Sequence, residues 1–350
     1  MALPIDPPIW TGELEGTGGA IGAQADDFVV DEVPLYSPSG AGEHLYLKVR
    51  KRERTTRELI RAIADATGVP TSEVGNAGMK DKHAVTTQWL SVPARSVTSP
   101  ESLVLGDGFE VLEVARHTNK LRTGHLSGNR FRIRIVGVNE RAEPAARAIL
   151  AEIEERWLPN YFGSQRFGFG GDNLDRAIAW ASGSGGRGRV PPFERKLFSS
   201  VLQSEVFNRY VVARLGEGLA LPIPGEVVRL EGSRALFVVE DPEQEASRWR
   251  ARDIHPTGPL FGPKMKEPRG RAQELERCAV GAVALSPEAL AKVARSADGT
   301  RRDVLVRPAD VDLMVDGPDS LVISFFLPAG SYGTLLVREL TRGPFLGDAR

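Results

Sequence analysis

VDLMVDGPDSLVISFFLP, residues 311–328, is the stretch on which the fold turns. Two runs rich in Val, Ile, Leu and Phe flank Gly317-Pro318-Asp319, a turn combination, so the segment reads as two strands of a hairpin. A helix is expected to begin around Gly330. Upstream, residues 191 to 300 read as mainly helical, with helices near 193–215, 242–253, 271–283 and 286–296 and one hairpin near 227–239. Strand character dominates again before that. Such an order fits two arrangements. Either the last hairpin completes the first sheet, making the middle an insertion into a discontinuous domain, or it forms a small sheet of its own in a tandem domain.

The first part supplies the sheet. LYLKVRK, residues 45–51, alternates Leu45, Leu47 and Val49 with Tyr46, Lys48 and Arg50, the two-residue period of a strand with one apolar and one basic face. A helix follows, opened by the capping box Thr55-Thr56-Arg57-Glu58 and closed at Gly68. AVTTQWLSV, residues 84–92, is a β-branched strand, and FRIRIVGV, residues 131–138, is a second strand with a basic face. PAARAILAEIEERWL, residues 144–158, has helical spacing with Pro144 at its start. The glycine- and aromatic-rich run 160–173 and the basic loop SGSGGRGR, residues 182–189, then mark a change in composition.

With 41% hydrophobic and 26% charged residues, the chain has the usage of a globular protein, and no apolar run reaches the roughly 18–20 residues that span a bilayer. MALPIDPPIW lacks the basic-then-apolar pattern of a signal peptide, so the cytoplasm is the expected location. One cysteine, Cys278, excludes an internal disulfide, and the five scattered histidines show no metal-ligand spacing. The net charge of −1 gives no bulk reason to propose nucleic acid, but charge is clustered. Residues 48 to 61 carry seven basic side chains against Glu53 and Glu58, and residues 116 to 134 carry six with no acid.

GNAGMKDKHAVTTQWLSV, residues 75–92, sets Asp81 between Lys80 and Lys82 in the loop before a strand. An aspartate there can simply cap the loop backbone. It can also act, because Gly78 lets the backbone approach a ligand and the strand gives the loop a rigid base. A carboxylate working while ionised in a dehydrated pocket must resist the upward pKa shift of burial. One cation about 4 Å away is worth roughly 4 kcal/mol at an effective dielectric of about 20, so Lys80 and Lys82 are expected to keep Asp81 charged.

The run Gly78-Met79-Lys80-Asp81-Lys82-His83-Ala84-Val85-Thr86-Thr87-Gln88-Trp89 closely resembles the catalytic motif of the TruD-type tRNA pseudouridine synthases. Asp27-Phe28-Val29-Val30, Gly128-Asn129-Arg130-Phe131, Asn160-Tyr161-Phe162-Gly163 and Gln165-Arg166-Phe167-Gly168 extend the likeness. Leu327-Pro328-Ala329-Gly330-Ser331-Tyr332 and Val337-Arg338-Glu339-Leu340 carry it, in order, to the end of the chain. The resemblance implies isomerisation of uridine to pseudouridine in tRNA, typically at position 13 of the D arm, with no metal or organic cofactor. It implies Asp81 as catalytic residue, nucleophile or base, acting on a flipped-out uridine. By matching motifs, Phe28, Phe131 and Tyr332 are the rings that stack on the extracted base, Asn129 hydrogen-bonds nearby, and Lys80 and Lys82 stabilise the departing uracil. Arg50, Lys120, Arg122, Arg132 and Arg166 are the candidates for phosphate contact.

Two features depart from the family pattern. Tyr332 stands where Phe is common, which keeps stacking and adds a hydroxyl, and residues 20–25 lack an expected basic side chain. The expected fold is α+β: a mixed, largely antiparallel sheet flanked by helices, from residues 1–156 and 303–350, with a mostly helical inserted domain at 157–302 that closes over the tRNA. Residues 160–171 would be its hinge, the 182–189 loop would lie near RNA, and a monomer without protein partners is the simplest expectation. Two other classes compete. One is an RNA-binding or chaperone protein that keeps the fold without the reaction. The other is a glycoside-cleaving enzyme, which usually needs a second carboxylate, for which Asp26, Asp27, Glu32 and Glu73 are available.

Overall fold

The structure, a computed structural model, describes residues 4–98, 103–184 and 190–346. The chain opens with strands β1 (Gly18–Ile21), β2 (Phe28–Pro34) and β3 (His44–Arg52), helix α1 (Thr56–Thr67) and the short β4 (Gly75–Asn76). Strands β5 (Val85–Pro93), β6 (Phe109–His117) and β7 (Leu126–Val138) and helix α2 (Ala142–Arg156) follow. The middle holds β8 (Leu158–Pro159), α3 (Asp172–Ser182), α4 (Pro192–Gly216), β9 (Val227–Leu230), β10 (Leu236–Val238), α5 (Ala246–Arg250) and β11 (Ile254–Leu260). After α6 (Gly270–Gly281), α7 (Pro287–Ala294), β12 (Thr300–Asp303) and β13 (Leu305–Val306), the chain ends with β14 (Ala309–Val315), β15 (Ser320–Pro328) and α8 (Gly333–Thr341).

These elements form two compact units. One consists of Gly16–Leu150 and Pro308–Gly333, the other, among the described residues, of Pro4–Glu15, Ala151–Arg307 and Thr334–Leu346. The units do not follow the expected segments residue for residue. The N-terminal stretch is tied to the middle segment by Ile5 N–H on Glu205 (3.0 Å) and Trp10 Nε1–H on the Trp157 carbonyl (3.1 Å), and to α8 by Glu339, which accepts from the backbone of Trp10 (2.9 Å) and Thr11 (3.0 Å). Arg342 adds donors to the carbonyls of Thr11 (2.6 Å) and Leu14 (2.8 Å).

The first unit is built on a nine-stranded sheet in the order β14-β15-β7-β2-β5-β3-β6, with β1 beside β7 and β4 beside β5. The closing hairpin does complete the first sheet, since β15 runs antiparallel to β7 from Ser320↔Val136 to Pro328↔Gly128. Every pairing is antiparallel except β2 with β5. Register and alternation sort the side chains into two faces. On the inner face Leu45, Leu47, Val49, Leu90 and Val92 pack with Leu59, Ile63 and Ala64 of α1. The α1 capping box is formed at both ends, with Glu58 N–H on Thr55 Oγ1 (3.1 Å) and Thr55 N–H on Glu58 Oε2 (2.6 Å), and Gly68 closes the helix at φ 71°.

In the second unit a four-stranded sheet, β10-β9-β11-β12, and the pair β8–β13 accompany helices α3 to α7. The helix expected over 242–253 shrinks to α5, and α3, β11 and β12 are elements the sequence reading lacked. The run forming β11, IHPTGPL, carries two prolines and a glycine and so looks like a loop. Gly258 is required there because a Cβ would lie 2.7 Å from Tyr210 and 2.8 Å from Phe207, the rings of α4 packed against it. Of the expected RNA-proximal loop 182–189, residues 185–189 lie outside the described residues.

Candidate active site

The site forms where the one parallel pair of strands separates. β2 and β5 pair at Val29↔Val85, Val30↔Thr86 and Asp31↔Thr87, after which β5 takes up β4 instead, at Asn76↔Leu90 and Gly75↔Ser91. The Trp89 N–H falls in the gap and donates to Glu32 Oε1 at 3.2 Å. The other Glu32 oxygen lies 2.6 Å from Lys80 Nζ, and the two side chains are only 1% and 6% exposed. Lys80 is held by its backbone as well, its N–H donating to Thr56 Oγ1 (2.9 Å), whose hydroxyl donates to Gln88 Oε1 (3.0 Å). Thus the middle of the motif loop is nailed to the sheet by an ion pair and a helix-start hydroxyl. The residues on either side, Met79 and Asp81, are exposed, the alternation of an extended segment whose inward residue is Lys80.

Asp81 is bound through its backbone: its carbonyl accepts a 2.5 Å hydrogen bond from Lys51 Nζ, which also donates to the Arg54 carbonyl at 2.6 Å. Lys51 is wholly buried, and burial pulls its ammonium down to about 8. The Asp81 residue surface is open to solvent while protein atoms crowd its carboxyl, as for a group at the mouth of a recess. That crowding is the largest influence on its acidity and raises the pKa, outweighing the downward pull of Lys51, then Lys80, then His83.

This balance corrects in part the expectation that Lys80 and Lys82 hold Asp81 ionised. Lys80 does draw Asp81 downward, but after Lys51 and while ion-paired with Glu32, and Lys82, exposed in the field of Glu58, is not among the groups that shift it. The leading cation is Lys51, on the neighbouring strand. A sequence signal for it exists: in Leu45, Leu47, Val49, Lys51 the lysine continues the apolar side of the alternation.

Register brings the remaining motif residues to the same inner face. Asn129 stands opposite Glu32, Phe131 opposite Val30, and Phe28 opposite Ile133. The Phe28 and Phe131 rings meet edge-on at 6.4 Å, and Phe131 stacks on Phe325 at 5.2 Å. At 5% and 8% exposure, Phe28 and Phe131 form a packed floor rather than free rings. Gly333 approaches so closely that a Cβ would lie 2.8 Å from Phe131, which seats the adjoining Tyr332, half-buried, beside that floor. Asn129 Oδ1, Thr86 Oγ1 and Gln88 Nε2 are buried on this face without a hydrogen-bond partner among the described residues. Buried polar atoms are paired as a rule, so three orphans beside one loop mark a place built for polar contact.

The basic candidates distribute differently. Arg50 and Arg132 project from the opposite face of the sheet, as do Lys48, Arg52, Arg130 and Arg134. There acids on adjoining elements answer most of them: Lys48 faces Glu113 (3.9 Å), Arg50 Glu110 (3.1 Å), Arg52 Asp26 (2.7 Å), Arg130 Asp310 (2.8 Å) and Arg134 Asp316 (2.8 Å). Among the described residues Arg132 and Arg122 make no ion pair. Lys120 and Arg122 sit on a segment tied to the motif loop by Gly124 N–H on the Ala77 carbonyl (2.8 Å), with Lys120 Nζ on the Ser72 carbonyl (2.6 Å). Arg166 belongs to the other unit, its guanidinium 5.5 Å from the Phe162 ring. A cleft lined by Glu43, His44, Arg95 and Arg116 opens at the far ends of β3 and β5, away from Lys51 and Asp81. Among the described residues no cluster of His, Cys, Asp and Glu could hold a metal ion, and no helix is long and apolar enough to cross a membrane.

A family model described as tRNA pseudouridine synthase D (TruD) matches residues 5–173 and 182–340. The tRNA pseudouridine synthase D of Anaeromyxobacter sp. (strain Fw109-5) is 42% identical over 342 residues, covering 96% of both chains. That of a Thermus thermophilus strain is 41% identical over 340 residues, 96% of this chain and 92% of its own. The crystal structure of a TruD protein from Methanosarcina mazei matches with a TM-score of 0.69 over 95% of both chains at 22% identity, a likeness of fold.

Proposed function

The chain belongs to the TruD family of tRNA pseudouridine synthases, and from that premise we propose that it isomerises a D-arm uridine of tRNA, at position 13, with Asp81 as its catalytic carboxylate. The observation that carries this reading is the posture of the motif loop. Lys80 is locked inward on Glu32 while Asp81 is turned out at the mouth of a desolvated recess, the one carboxylate of the motif left free to meet a sugar.

In the reaction the uridine leaves the stack, at a cost of a few kcal/mol, and its uracil comes to rest against the floor of Phe28 and Phe131 with Tyr332 at the side. Asp81 must be ionised whether it attacks C1′ or removes a proton in a glycal-like route. The C1′–N1 bond breaks, the uracil turns, C5 joins C1′ with loss of the C5 proton, and N1 gains a proton, so that the product is an isomer. Negative charge on the detached uracil is met by cations already in place, and Asn129 Oδ1 accepts from a uracil N–H. Lys120 and Arg122, beside the motif loop, take phosphates.

Neighbouring carboxylates do not suit a glycosidase pair. Glu32 is engaged by Lys80 and Trp89, Asp26 by both guanidinium nitrogens of Arg52, and Asp27 by the Gln24 N–H. Tritium release from tRNA labelled at uridine C5 is the direct test. Asp81→Asn is expected to abolish release while tRNA binding stays within about tenfold, because phosphate contacts supply most of the affinity. Normal release by Asp81→Ala would remove the assignment.

A further inference from the structure

We propose that Lys51 is the positioning residue of this site, holding the Asp81 backbone in place and supplying the positive charge that keeps its carboxylate ready to react. The inference rests on Asp81 being the catalytic carboxylate. Lys51 lies at the end of β3 and its ammonium joins two segments, the turn leading into α1 through the Arg54 carbonyl and the motif loop through the Asp81 carbonyl. Although wholly buried, it forms no ion pair among the described residues. A buried, unpaired ammonium is expensive, and two neutral carbonyls alone would be served equally by an uncharged donor. A full positive charge is useful only where a negative one must be sustained, and the charge it influences most is Asp81.

The surrounding charges are few. Glu58 on α1 and Asp81 favour the Lys51 ammonium, and Lys80 opposes it. Lys80 is itself held by Glu32 of β2, and His83 adds a weaker pull on Asp81. Burial dominates and brings Lys51 to about 8, within reach of mild alkali. A neutral amine keeps two N–H groups, enough for both carbonyls, so loss of the proton removes the charge without dismantling the loop. Rate lost on that titration is therefore electrostatic rather than structural.

The test is the pH dependence of kcat/KM for tritium release from tRNA, between about pH 5 and pH 10. The wild type is expected to show an alkaline limb with its midpoint near 8. Lys51→Arg, whose guanidinium stays charged throughout, moves that limb to higher pH. Lys51→Gln, which keeps a donor but no charge, loses about a hundredfold in kcat and moves the acid limb upward as Asp81 loses its leading cation. Circular dichroism and tRNA binding check that each variant folds. If either variant does not fold, the wild-type profile still decides, since activity flat up to about pH 10 overturns the proposal. So does an alkaline limb unmoved in Lys51→Arg, which would assign it to the imide proton of the substrate. A wild type inactive on tRNA would instead sink the functional reading itself.

Discussion

Replacing Glu32 with glutamine keeps the size of the side chain and an oxygen for the Trp89 N–H, but leaves the Lys80 ammonium buried with no counter-charge. In the native protein that pair is 2.6 Å apart, 6% and 1% exposed, so solvent screens it little. Removing one partner of such a pair costs about 3–5 kcal/mol, most of it the penalty of the charge left behind. For a unit of this size that corresponds to a fall in Tm of roughly 6–20 °C by thermal denaturation. Restoring neutrality with Glu32→Gln plus Lys80→Met should recover at least about 2 kcal/mol, so the two changes are strongly non-additive. Lys80→Met alone leaves the Glu32 carboxylate buried without its counter-charge and should be destabilising in its turn. If Glu32→Gln costs under about 1 kcal/mol, or the two changes simply add, the loop is not nailed down by this pair and the account of the site geometry fails.

Further outcomes are expected. Phe131→Ala should cost about 3–5 kcal/mol by denaturant unfolding, because its ring is 8% exposed and stacked on Phe325, whereas Tyr332→Phe should keep tritium release within a few-fold. A loss above about a hundredfold in Tyr332→Phe would show that the hydroxyl takes part in the chemistry. Arg50→Ala, already paired with Glu110, should change tRNA affinity less than about twofold, while Arg122→Ala should lower it uniformly and reduce the slope of log affinity against log salt by about 1. The acid limb of the activity profile should lie above the ordinary aspartate value of 3.8, since crowding raises Asp81 and activity is lost as pH falls through the raised pKa.

Much of the sheet is legible in the sequence because its strands obey a strict alternation and its turns carry Gly, Pro and Asp. The reading of residues 311–328 as a hairpin completing the first sheet holds, since the whole of β15 lies along β7. The capping box at Thr55 and the stop at Gly68 are visible in four and one residues respectively. β11 is invisible because Pro256, Gly258 and Pro259 disfavour a strand locally, while Gly258 answers to the rings of α4 packed against it. At the site, the motif residues share the inner face, but charge cannot be read from neighbours in the chain alone. Adjacent lysines look like partners of Asp81, while the ammonium that reaches it comes from the neighbouring strand β3. The basic faces of β3 and β7 mislead for the same reason: most of the acids that answer them, Glu110, Glu113 and Asp310 on edge strands and Asp316 just past one, are distant in sequence.

That outer face has a consequence for how RNA finds the protein. Most of its cations are matched to an acid a few ångströms away, so their fields largely cancel beyond a Debye length and offer a passing polyanion little long-range pull. Under the proposed function, Lys120 and Arg122 near the motif loop are then the cations that draw RNA in, and a near-zero net charge adds little non-specific attraction.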